Sequence, residues 1–278
     1  MADRLAALLD HFSVIAQVFH AGTLCGSHLL QAEGGSGQLH LIRRGPLTVI
    51  HGSTRLEIAR PSLLLYPRPM THRFESDPAR GADMVCANLA FAGGSSNSIC
   101  AALPDVVCLA LDDIPDASAV LSLLFEEAFA ERCGRTSMLN RLFEVVLIQV
   151  LRQLMEQDRV QGGLLAGMAH PRLRFALVAM HEAPAREWSL EALGKLCGMS
   201  RSVFANSFRD VVGCTPGGYL QQWRMTLAQR LLQRGRPLKL VAEDVGYGSE
   251  TAFSRAFSAH VGMPPRRWRE QQREHEVG

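Results

Sequence analysis

Between Gln38 and Phe91 the apolar residues come in short runs, many of them β-branched, separated by turn-forming residues. Segments 39–43, 47–50, 56–58, 63–66 and 84–91 each read as a strand, with Gly45-Pro46, Gly52-Ser53 and Pro61-Ser62 as breaks between them. Closely spaced strands of this kind predict a small barrel or sandwich. Residues 4–19 predict a short amphipathic helix ahead of it. Beyond Pro104 the period becomes helical, most clearly over 118–130 and 138–157. The second of these places Leu139, Leu142, Phe143, Val146, Val150, Leu151 and Leu154 on one broad stripe, which serves packing on the strands and offers a dimer surface. The pattern breaks from Gly162-Gly163 to His170-Pro171, which divides the chain into domains 1–160 and 171–278.

The last third carries one arrangement twice. A short helix over 190–197 follows Ser189, whose hydroxyl can accept a hydrogen bond from a free N–H of the first turn, and stops at Gly198. Ser200 then caps a second helix that buries Val203, Phe204, Phe208 and Val211 and turns Arg201, Ser202, Ala205, Asn206 and Arg209 outward. The second copy runs over 238–245, stops at Gly246, restarts at Ser249, buries Phe253 and Phe257, and presents Glu250, Thr251, Ser254 and Arg255. Its turn is one residue longer. Each copy continues into a glycine, a proline and an aromatic: Gly213, Pro216 and Tyr219, then Gly262, Pro265 and Trp268. A long helix over 216–234, with Leu220, Trp223, Leu227 and Leu231 on one side, joins the copies as a stiff spacer. Two capped helices held apart in this way suit successive major grooves on one face of DNA, about 34 Å apart.

Charge adds to this picture. The whole chain is only +2, but residues 169–278 hold 16 Lys and Arg against 10 Asp and Glu, whereas residues 1–168 hold 13 against 17. The basic half favours a polyanionic partner. Seven cysteines, an odd number without a CxxC pair, and a start lacking signal-peptide character point to a reducing cytoplasm. No apolar run is long enough to span a membrane. Hydrolase, phosphate-loop and dinucleotide motifs are absent, so an enzyme, such as a metal oxygenase or isomerase, is the rival class rather than the favoured one.

Residues 188–269 resemble the DNA-binding domain of the AraC/XylS family of bacterial transcription regulators. Gly246-Tyr247-Gly248-Ser249, Phe253-Ser254-Arg255-Ala256-Phe257 and Gly262-Met263-Pro264-Pro265-Arg266-Arg267-Trp268-Arg269 carry the resemblance. One departure is Gly194, where the family usually has Ala and the second copy has Ala242; it makes the first unit the softer one. The resemblance implies that Ser202 and Asn206 reach base edges from the first unit, and Glu250, Thr251 and Arg255 from the second. Arg255 suits guanine and Asn206 suits adenine. Ser200, Arg201, Ser249, Arg224 and Lys239 are expected on phosphates, where contacts position the protein without specifying sequence.

The strand-rich half resembles the cupin-like sensor domain often joined to this module, through 40–45, 67–74 and 84–86. The fold expected is therefore α+β and multidomain: a cupin-like β-barrel with helices, then an all-α domain with two helix–turn–helix units. His40 stands without the close histidine and carboxylate partners of a usual cupin metal centre. Three readings of His40, His72 and Cys86 stay open: ordinary packing, a soft metal site, or redox sensing in which a histidine lowers the Cys86 thiol pKa and Cys25 is a second thiol. An oxidant-responsive switch is preferred narrowly over a metabolite-responsive one. The expected protein is a cytoplasmic, homodimeric activator that meets double-stranded DNA and RNA polymerase, with no cofactor, no enzymatic activity and no membrane partner.

Overall fold

A computed structural model describes residue 9 and residues 14–31, 35–91, 98–157 and 162–277. Beyond residue 9, the described residues fall into two units, one within residues 12–165 and one from residue 166 onward.

The first unit contains nine strands: β1 (Val14–Leu24), β2 (Ser27–Leu30), β3 (Gly37–Arg44), β4 (Leu47–His51), β5 (Thr54–Ile58), β6 (Ser62–Tyr66), β7 (His72–Ser76), β8 (Ala82–Phe91) and β9 (Val107–Ala110). They form a five-stranded sheet in the order β1-β8-β3-β6-β9 and a four-stranded sheet in the order β2-β7-β4-β5. All the pairings are antiparallel. The buried cluster between them includes Ile42, Leu47, Val49, Leu64, Tyr66, Phe74, Met84 and Cys86. This is the expected cupin-like, sheet-rich half.

Two segments differ from the sequence reading. Residues 14–19 are strand, not helix; the earlier part of the expected 4–19 helix, apart from residue 9, lies outside the described residues. Pairing with β8 along almost the whole of β1 overrides the local helical period, and Val14, Ile15 and Val18 favour the extended form. Residues 107–110 are likewise a strand on β6 rather than helix.

Helices α1 (Ser98–Ala102), α2 (Ser118–Ala128) and α3 (Arg135–Glu156) follow the sheets. Helix α3 buries Leu139, Phe143, Val146, Leu147, Val150, Leu151 and Leu154, with Leu142 only half-buried. Its polar side chains cover the edge strand β1: the Val18 N–H donates to Asn140 Oδ1 at 2.9 Å and the Ala16 N–H to Glu144 Oε1 at 3.3 Å. A free strand edge that would otherwise template pairing is thereby satisfied within the chain.

The next helices are α4 (Gly163–Ala169), α5 (Leu173–Glu182), α6 (Leu190–Leu196), α7 (Arg201–Val212), α8 (Pro216–Gln233), α9 (Leu238–Asp244), α10 (Glu250–Val261) and α11 (Pro265–Val277). Pairs α6–α7 and α9–α10 are the two helix–turn–helix units, and α8 runs between them. Among the described residues no helix is long and apolar enough to cross a membrane.

Candidate nucleic-acid interface

The two units repeat each other down to their caps and rings. Ser200 Oγ accepts from the Val203 N–H at the start of α7, and Ser249 Oγ accepts from the Ala252 N–H at the start of α10. Each cap satisfies an N–H that the helix leaves unpaired, worth about 1 kcal/mol. Phe204 and Phe208 lie with ring centroids 5.6 Å apart, as do Phe253 and Phe257. The second ring of each pair then meets the following aromatic at 5.8 Å, Tyr219 in one unit and Trp268 in the other. Gly213 and Gly262 end α7 and α10 at φ of 84° and 82°. Even the turns close alike, with Met199 N–H donating to Gly194 O and Tyr247 N–H to Ala242 O, both at 2.8 Å.

Helix α8 serves both cores. Its first half buries Tyr219, Leu220 and Trp223, and its second half places Met225, Ala228 and Leu232 in the cluster that holds Phe253 and Phe257. With 18 residues it is about 27 Å long, of the same order as one turn of DNA.

The spacer is not the only brace. The loop before α6 meets both α8 and the second unit. Arg224 on α8 donates from Nε to Pro184 O at 2.7 Å and from Nη2 to Arg186 O at 3.0 Å. Between those two carbonyls, Ala185 packs against the turn of the second unit: a Cβ on Gly246 would lie 2.7 Å from Ala185 O. Gly246 also has φ of +81°, a left-handed conformation that suits glycine. Arg224, expected on a phosphate, thus has two of its guanidinium nitrogens committed to backbone carbonyls and ties the two units together. That joint was not legible in the sequence, because its carbonyls come from residues some forty positions away (|i−j| of 40 and 38).

Gly194 also has a structural reason. A Cβ there would come within 2.9 Å of Met199 O, so the shorter first turn needs glycine where the longer second turn accepts Ala242. Arg172 reinforces this turn by donating from Nε to Cys197 O at 2.8 Å.

The outward surfaces are open. Ser200, Arg201, Ser202 and Asn206 are exposed on the first unit, and Ser249, Glu250, Thr251, Arg255 and Lys239 on the second. Arg201 is paired with Glu191 at 3.1 Å, also exposed. Two expected core residues lie off the buried line of α7, which is Phe204, Phe208 and Val212: Val203 is 50% exposed and Val211 only half-buried. The four-residue steps from Phe204 to Phe208 to Val212 fix the buried meridian, and Val203 lies about 100° away from Phe204. That spacing was readable in the sequence.

In the strand-rich N-terminal unit three of the four sensor candidates, His40, His72 and Cys86, meet, and Cys25 stands apart. His20, Cys86 and His40 are cross-strand neighbours in one row, followed by Leu64 and Cys108. His72 closes over the row, with its Nε2 3.1 Å from His40 Nε2 and its Nδ1 2.8 Å from Met70 O. The carbonyl requires a proton on His72 Nδ1. His72 Nε2 is then the acceptor, His40 Nε2 is the donor, and the buried His40 Nδ1 is a bare acceptor with no hydrogen-bond partner among the described residues. Burial holds both imidazoles below their ordinary pKa, so the pair is neutral. Tyr66 stacks on His72 at 4.2 Å.

This arrangement does not supply the thiol activation expected of a histidine beside Cys86. The thiol is buried, and burial pushes its pKa up, opposite to the lowering expected from a histidine neighbour. A neutral imidazole has no charge with which to stabilise a thiolate. Cys25 is exposed in the turn after β1, where Leu24 opposes Ala82. The step along β8 from Ala82 to Cys86 is roughly 13 Å at the usual strand rise, so the two sulfurs are not within bonding reach in this state. Among the described residues no group of three or more His, Cys, Asp or Glu side chains is placed to hold a metal, which leaves the metal reading without a ligand set.

Known proteins share both halves. Residues 3–156 match a family model described as "Cupin", and residues 193–271 match one described as "Helix-turn-helix domain". A "Putative AraC-like transcription regulator" of Streptomyces lividans is 31% identical over 258 residues, which cover 82% of this chain and 84% of that protein. The "RCS-specific HTH-type transcriptional activator RclR" of Escherichia coli (strain K12) is 29% identical over 261 residues, covering 88% and 89%. Among solved structures, the DNA-binding domain of AdpA in complex with a target DNA is 28% identical and covers 36% of this chain and 91% of its own, with a TM-score of 0.34. With the cupin match spanning more than half the chain and the Streptomyces relative aligned over most of both sequences, the chain belongs to the AraC-like transcription regulators.

Proposed function

We propose that the protein recognises a specific duplex by laying α7 and α10 into successive major grooves on one face, and that it activates transcription there together with RNA polymerase. The observation that carries this reading is the pair of matching capped helices braced by α8 and by the Arg224 joint. Ser202 and Asn206 read bases in one groove; Glu250, Thr251 and Arg255 read them in the other. Ser200, Arg201, Ser249 and Lys239 hold phosphates, while Arg224 fixes the distance between the helices. Hydroxyl-radical footprinting of the full chain on a duplex enriched from a random pool tests this. Two protected grooves one helical turn apart are expected, and protection of a single groove overturns it. Transcription in vitro with RNA polymerase, rising on addition of the chain, tests activation.

Control belongs to the N-terminal unit. The exposed Met138 and Val145 on the outer side of α3 support a homodimer through that helix. For the signal, the exposed Cys25 supports an oxidant that meets this thiol. The name of the RclR relative agrees with an activator of this kind. Cys25→Ser is expected to abolish a hypochlorite response in the transcription assay. A hypochlorite response that survives it moves the sensing away from Cys25, and a wild-type chain indifferent to hypochlorite passes the role of signal to a small molecule.

A further inference from the structure

Under the proposed reading, the first recognition helix has little reach. Ser202 is short, and Asn206 is neutral, whereas the second helix presents Arg255. Val203 lies between the first two, and half of its surface is exposed. That side chain lies outside the buried stripe: Phe204, Phe208 and Val212 complete it, and the cap bond to Ser200 uses only the Val203 backbone N–H. Val203 is adjacent to Ser202 and three residues before Asn206, so it shares the outward first turns of α7 with Asn206. The equivalent position in the second unit is Ala252, also exposed but with a side chain too short to do the same.

A major groove offers one apolar group on its base edges, the 5-methyl of thymine. We infer that Val203 is a specificity residue that covers a thymine methyl, and that with Asn206 on adenine it makes the α7 subsite A·T, while Arg255 centres the α10 subsite on guanine. The two halves of the bound duplex therefore differ in composition even though the two protein units share one scaffold. This rests on the reading that both helices enter the groove.

Thymine-by-thymine replacement with uracil removes one methyl group at a time and leaves base pairing intact. On the duplex enriched by the full chain, one such replacement should weaken binding about four-fold, the worth of one buried methyl group. The same replacement should have no effect on the Val203→Ala variant, which should melt at the wild-type temperature and keep the guanine preference set by Arg255. Uracil tolerated at every position, or a loss that persists undiminished in Val203→Ala, overturns the inference while leaving two-groove recognition standing. Failure of the full chain to enrich any duplex overturns both.

Discussion

The two helix–turn–helix units have nearly the same interior and very different edges. Ring spacings coincide to a tenth of an ångström and the glycine stops to a few degrees, and a serine caps each of the two helices. The turns and outward faces do not coincide. The first turn is short, needs Gly194, and is held by Arg172; the second is longer, accepts Ala242, and rests through Gly246 on the loop at Ala185. The interior must be conserved between copies because Phe burial, at about 1.5–3 kcal/mol per ring, makes each unit fold. The edges are free to differ because the buried rings do not depend on them, and on the proposed reading they set which bases each unit meets. One scaffold thus occurs twice, with a shared interior and different turns and outward faces.

The largest effect expected is at the joint. Gly246→Ala meets two penalties: a left-handed residue with a side chain, about 1–2 kcal/mol, and a Cβ 2.7 Å from a backbone oxygen that has to move. Overpacking of that kind costs about 1–3 kcal/mol, so the variant should lose about 3 kcal/mol in thermal or urea unfolding. Gly262→Ala is the control, since its φ is also left-handed but nothing lies within 4 Å of the added atom. It should show the conformational penalty alone. Equal losses at both positions would mean that Ala185 and the second turn are not pressed together, and the asymmetry between the units would disappear.

Next in size is Arg255→Ala. One good bidentate contact to guanine is worth about 1–3 kcal/mol of discrimination, so the variant should lose that preference at a single base position and keep the rest. Asn206→Ala should do the same at a position in the other groove, with a smaller effect because the amide is neutral. Base-substituted duplexes compared by competition binding would show this. Two variants that relax the same position would place both helices in one groove.

Gly194→Ala separates two accounts of the first unit. By helix propensity alone the change stabilises by about 1 kcal/mol. The 2.9 Å approach to Met199 O predicts the opposite. A net loss of about 1 kcal/mol is expected once the overpacking term is set against the gain. In the second unit Ala242→Gly should also lose about 1 kcal/mol, through propensity. A stabilised Gly194→Ala would restore the view that glycine merely softens this unit.

The difference between these positions also explains what could be read in advance. Caps, ring pairs and stops are local, so Ser200, Phe204, Phe208 and Gly213 announce themselves within one helix. Val203 is legible too, because the four-residue step from Phe204 to Phe208 to Val212 leaves it off the buried line. Gly194 looked like a weak helix residue because the oxygen that excludes its side chain belongs to a turn whose path the sequence does not display. Arg224 looked like a phosphate ligand because an arginine beside a recognition unit carries no mark of its distant carbonyl partners. In the N-terminal half, strands with turn residues around them were visible. β1 was not, since its pairing with β8 is a tertiary fact. Cys86 and His40 were picked out as candidates, but the sign of the thiol shift depended on burial that only the two closed sheets impose.

The smallest effect expected tests the electrostatic side of the same contrast. Lys239 is exposed on α9 and has no ion pair among the described residues. Arg201 is exposed on α7 but already neutralised in part by Glu191 at 3.1 Å. Each phosphate neutralised by a cation releases condensed counterions and contributes about 0.9 to the slope of log K against log salt. Lys239→Ala should therefore flatten that slope by about 0.9 and weaken binding evenly across all sequences. Arg201→Ala should flatten it less, because binding must first draw the guanidinium from a carboxylate that the duplex repels. Glu191→Gln frees Arg201 without touching the helix caps, and should steepen the slope of the otherwise wild-type protein. If Arg201→Ala and Lys239→Ala change the slope equally, and Glu191→Gln leaves it unaltered, the Glu191 pair is a solvent contact that parts at no cost, and the two units carry equal shares of the phosphate backbone.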